Sequence, residues 1–101
     1  MGTKLKKVKK REYSEAFYIV RSELNKIDPM GLAPGEFCPI DEYDPEVEMI
    51  LAKLKYGTDY IQLSKDMSEI FSYMFAENFS ESIFHDCAKN ILEQYRKFTQ
   101  Q

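Results

Sequence analysis

The chain has no tryptophan, a single histidine and only two cysteines. It also lacks any apolar run long enough to cross a membrane. Two cysteines, Cys38 and Cys87, do not make a disulfide framework. The lone His85 leaves little for imidazole chemistry, because its neighbour Asp86 would point about 100° away on a helix and would orient it poorly. Cys87 shares a stripe with Ile83, Ala88 and Ile91, which suits a small core residue, and nothing near Cys38 in sequence activates its thiol. No complete catalytic, metal or nucleotide-binding motif is present, so the expectation is a non-enzymatic protein without a cofactor. The basic start Met1-Gly2-Thr3-Lys4 has no apolar stretch behind it, and Lys6 stands where a myristoylation motif wants Ser or Thr. These absences predict a reduced, cytoplasmic setting without membrane contact.

What is present is enough for one core. At 101 residues and 44% hydrophobic, with seven Phe and seven Tyr, the chain has the size and composition of a single folded domain. Six of its 14 Lys and Arg fall in residues 1–11, where there is no acid; the other 8 face all 17 acids, a net −9. The predicted organisation is a basic N-terminal tail over residues 1–11 and one helical domain over 12–101. An acidic body repels phosphate backbones, which makes nucleic acid a poor partner except through that tail.

Four stretches carry helical periodicity, and none alternates with period two. The first covers about residues 12–27, through Tyr13, Phe17, Val20, Leu24 and Ile27, and Leu5 and Val8 allow an earlier start. Asp28-Pro29 ends it. Asp44 as N-cap, Pro45 and Glu46 begin the second, which buries Val47, Ile50, Leu51 and Leu54 and closes at Gly57. Asp59 and Gln62 form a capping box for the third, which runs to about Glu77. Asn78 or Ser80 caps the fourth, which continues to about Phe98. The fold class is therefore all-α: a compact four-helix domain with a long ordered loop between helices one and two, and no sheet. The expected core joins Phe17, Val20 and Leu24 to Ile50, Leu54, Met67, Ile70, Phe71, Phe84, Ile91 and Leu92. Tyr18, Ile19, Tyr56 and Tyr73 lie beside the main stripes and suggest a second apolar face, hence a homodimer.

The loop over residues 28–44 is long for a small domain, and its Met30, Leu32, Phe37, Cys38, Ile40 and Tyr43 are not a disordered composition. It reads as a packed cover that presents acids outward. The carboxylates do not follow the ligand spacing of a calcium-binding loop. Asp28, Asp44 and Glu46 have structural explanations as turn and helix-start residues. Glu36, Asp41, Glu42 and Tyr43 remain as candidate binding residues, with carboxylates beside an aromatic suited to Arg or Lys of a basic protein partner. The competing reading is a solvated acidic turn with Tyr43 folded into the core.

Asp28-Pro29-Met30-Gly31-Leu32, followed by Asp41-Glu42-Tyr43-Asp44 and then Val47, Ile50 and Leu51, resembles the YugE-like family of small bacterial proteins of unknown function. The same pattern is similar to small proteins that look like immunity partners of bacterial toxins. The resemblance implies a small helical fold in a bacterial cytosol, supplies no activity and transfers no catalytic residue. The functional expectation is thus a protein-binding or regulatory module acting through loop 28–44. The alternatives are nucleic-acid association through the basic tail and a toxin-immunity-like partner.

Overall fold

Helix α1 spans Gly2–Ile27 in a computed structural model of the chain, which describes the backbone of residues 2–54 and 57–99 and the side chains of 12–54 and 57–98. The backbone of the basic segment expected as a tail is therefore continuous with the first helix. The helix stops where Asp28-Pro29 predicts. The Asp28 N–H makes a last bond to the Leu24 carbonyl at 2.8 Å, and its backbone then swings to φ +46°.

Helix α2, Asp44–Lys53, starts one residue earlier than a capping role for Asp44 would need. Tyr43 occupies the cap position without a side-chain capping bond, and Asp44 belongs to the first turn beside Pro45. The Asp44 carboxylate instead takes both Nε and an Nη of Arg21, at 2.9 and 2.5 Å, tying the start of α2 to α1. The other end also differs from expectation. Leu54 leaves the helix in an extended conformation, and Gly57, with φ +85°, makes a separate turn further on.

Helix α3, Tyr60–Phe75, is capped as expected, with the Asp59 carboxylate accepting the Gln62 N–H at 2.8 Å. The box is only half closed, because the Gln62 side chain turns to Asp66. Ala76 ends α3 in the left-handed region, φ +54°. A 3₁₀ turn, Glu81–Phe84, with Ser80 accepting the Ser82 N–H, then leads into α4, His85–Thr99.

The fold is all-α, with four helices and, among the described residues, no strand; the only bridge is an isolated one between Pro34 and Cys38. The helices form a closed ring: α1 packs on α2, α2 on α3, α3 on α4, and α4 back on α1. The core lies inside this ring. Val20, Leu24, Ile50, Met67, Ile70, Phe71, Phe84, Ile91 and Leu92 are buried as expected, while Phe17 and Leu54 pack at its edge. Phe71 is its hub, with ring contacts to Tyr43, Phe75, Phe79 and Phe84 at 5.4–5.8 Å. Burial of such large side chains contributes about 1.5–3 kcal/mol each, offset by the entropy of ordering them.

The proposed second apolar face is only partly present. Ile19 turns into the core, Tyr18 and Tyr73 are exposed, and Tyr56 lies outside the described residues. No described helix is long and apolar enough to cross a membrane.

Candidate functional site

The loop between α1 and α2 is held by one carboxylate. Asp28 Oδ1 accepts the Leu32 N–H at 2.9 Å and the Tyr43 hydroxyl at 2.6 Å, and Oδ2 accepts the Ala33 N–H at 2.9 Å. The Tyr43 hydroxyl in turn accepts the Met30 N–H at 3.0 Å. Asp28 therefore gathers residues from the beginning and the end of the loop around itself. The Tyr43 bond, helped by the backbone amides of Ala33, Leu32 and Gly31 against partial burial, holds its carboxyl below the usual aspartate range. Burial, and then the Asp28 bond, push the Tyr43 phenol up, so it stays a proton donor.

This geometry corrects one of the four candidate binding residues. Tyr43 is fully buried with its ring on Phe71, so it supports the loop from beneath and offers nothing to a partner. Glu36, Asp41 and Glu42 are exposed, and none of the three is ion-paired among the described residues. They sit on two tight turns. In the first, the N–H groups of Glu36 and Phe37 bond the Ala33 carbonyl and that of Gly35 bonds the Cys38 carbonyl; in the second, Glu42 bonds to Pro39 and Asp44 to Asp41.

Beside the acids the turns display apolar groups that a folded loop would ordinarily cover. Phe37 is 88% exposed and Ile40 60%. Across the groove from Ile40, Tyr18 of α1 is 65% exposed. Tyr18, Arg21, Ser22, Asn25, Lys26 and Ile40 line an open groove of about 300 Å³, fastened on one side by the Asn25 amide donating to the Ile40 carbonyl at 3.0 Å. The groove's two cations already have partners, Arg21 in Asp44 and Lys26 in Glu23. The local field of the loop is negative. The half-buried Cys38 thiol is pushed up first by desolvation and then by Glu42, Asp28 and Asp41.

The remaining chemistry-bearing residues are dispersed. His85 meets the Tyr60 ring edge-on at 5.7 Å, and Lys89 lies 4.6 Å over the same ring. Burial pushes the Cys87 thiol up to about 12. Among the described residues no group of three or more His, Cys, Asp or Glu side chains is placed to hold a metal ion.

One polar cluster is not apparent from sequence motifs. Glu23, buried between α1 and α4, accepts from Lys26, Gln94 and Asn90 at 2.9, 2.8 and 3.4 Å. Burial pushes its carboxyl up, but those bonds and the Lys26 charge outweigh it and the net shift is downward. Its position three residues after Val20 and four after Ile19, on the inward stripe of α1, is the signal that marks it. With three donors it is a satisfied structural ion.

The site is therefore a fixed, acid-bearing and partly apolar loop beside an open groove. No protein-family model, curated protein or solved structure matches the chain.

Proposed function

We propose that the protein is a non-enzymatic binding module that uses loop 28–44 to hold a basic, amphipathic segment of a partner protein. The observation that carries this reading is the exposure of Phe37 and Ile40 on a loop tied down by Asp28 and Tyr43. A loop secured through its own backbone loses little entropy on binding. Apolar contact then supplies affinity, while Glu36, Asp41 and Glu42 select a partner with Lys or Arg around its apolar residues. A toxin with a basic surface is one partner of that chemistry. The resemblance to the YugE-like family supplies no activity and does not bear on the choice.

The test is calorimetric titration with a synthetic amphipathic Lys/Leu helical peptide. Wild type binds, and Asp41→Lys/Glu42→Lys and Phe37→Ala/Ile40→Ala each weaken binding at least tenfold while circular dichroism stays unchanged. Equal affinity for all three proteins overturns the proposal.

A further inference from the structure

The basic start of α1 and the acidic loop sit at opposite ends of one helix. At about 1.5 Å per residue, position 7 lies roughly 27 Å along the axis from Asn25, which borders the groove. The backbone of α1 is continuous from Gly2 to Ile27, so the basic positions 4–11 and the acids that follow the helix lie toward its opposite ends. In a second chain running antiparallel the distance vanishes.

The register of α1 supports such a partner. Positions 4, 7, 11, 14, 18, 22 and 25 recur at steps of three and four, and so fall on one strip of the helix. That strip lies opposite the inward face carrying Ala16, Ile19, Val20, Glu23 and Leu24. Along it run Lys4, Lys7 and Arg11, then Ser14, Tyr18 and Ser22, and finally Asn25 at the groove. An antiparallel copy centred near position 16 sets Tyr18 of each chain beside Ser14 of the other, where a small side chain leaves room for the ring. The same alignment brings positions 4 and 7, both lysine in sequence, level with the end of the groove marked by Ile40, the residue before Asp41 and Glu42. Arg21 and Lys26 are already paired with Asp44 and Glu23, so they oppose this approach less than their number suggests.

We infer that the basic segment bound by this loop is residues 4–11 of a second copy of the chain, in a two-fold antiparallel α1–α1 pair. The inference rests on the reading of the loop as a recognition surface and names its partner. Two identical contacts form at once, and both copies of a variant carry the same reversal, so each reversal removes both salt-sensitive contacts from the assembly.

Sedimentation equilibrium of the full chain at about 50 mM and about 500 mM salt tests it, since exposed charge pairs are screened over that range. The expected mass at low salt is twice the 11.9 kDa of one chain, falling toward a single chain at high salt. Asp41→Lys/Glu42→Lys and Lys4→Glu/Lys7→Glu should each be monomeric and equally helical, and the variant carrying all four reversals should regain the dimer. A wild type that stays monomeric at low salt, or a fourfold variant that fails to recover, overturns the pairing. A monomer that still binds the Lys/Leu peptide overturns the pairing alone, whereas one that ignores the peptide overturns the recognition surface as well. A monomeric wild type whose affinity for a fluorescent oligonucleotide is lost in Lys4→Glu/Lys7→Glu assigns the basic strip to nucleic acid and overturns the pairing.

Discussion

The buried Tyr43 hydroxyl donates to Asp28 Oδ1 at 2.6 Å, joining the residue just after α1 to the residue just before α2. That bond spans 15 positions and converts an irregular stretch into a fixed part of the surface. Tyr43→Phe keeps the ring on Phe71 but removes a donor from Asp28 and an acceptor from the Met30 N–H. The expected cost is about 1–3 kcal/mol, measured by urea unfolding at neutral pH. A loss below the error of that measurement would show that the loop is held by other contacts.

The pH dependence of stability follows from the same carboxylate. Asp28 and Glu23 both sit below their ordinary values of 3.8 and 4.5. The unfolded chain takes up those protons first as pH falls. The stability they contribute is therefore complete above about pH 5 and is lost as pH drops through their folded values. Glu46, raised by burial and by the Glu42 charge, works in the opposite sense: its contribution is present below its ordinary 4.5 and fades as pH rises through its folded value. Urea midpoints between about pH 2 and pH 6 should show the gap between wild type and Tyr43→Phe closing toward low pH. Asp28→Asn tolerates the left-handed backbone at that position and should flatten the acid limb.

Much of the fold is legible in residue order because its signals are local. Asp28-Pro29, Asp44-Pro45 and Asp59 mark three helix ends to within a residue, and nine of the expected core positions are buried. What escapes is whatever depends on a partner distant in sequence. Asp44 looks like a cap because nothing nearby announces Arg21, 23 positions away. Tyr43 looks equally suited to a surface or a core until Asp28 and Phe71 are placed around it. Tyr13 and Ile83 share the spacing of their buried neighbours yet lie half exposed, since periodicity defines a face but not how far the next helix reaches over it. Among the candidate site residues, Glu36, Asp41 and Glu42 are on the surface as read, while the exposure of Phe37 and Ile40 requires the turns themselves.

Phe71 and Phe37 should behave oppositely. Phe71→Ala empties the centre of the ring cluster and should cost about 3–5 kcal/mol. Phe37→Ala removes a side chain facing solvent and should leave the unfolding midpoint within about 0.5 kcal/mol. A large loss at Phe37 would mean that its ring is covered in solution.

Ala76 offers a stabilising change. It closes α3 at φ +54°, a conformation that strains alanine, whose Cβ crowds the following carbonyl oxygen. Ala76→Gly should raise stability by about 0.5–1 kcal/mol, read as an upward shift of the thermal midpoint. A lower midpoint would show that the entropy added to the unfolded chain exceeds the strain released.

The return of α4 onto α1 has a consequence for synthesis on the ribosome. Glu23 waits for Gln94, 71 residues later, and among the described residues the backbone of α1 runs close to α2 and α4 but not to α3. The nascent first helix therefore emerges with the side of its inward stripe that meets α4 uncovered. That side stays uncovered until α4 clears the exit tunnel, so the contact between the first and last helices is the last of the ring to close.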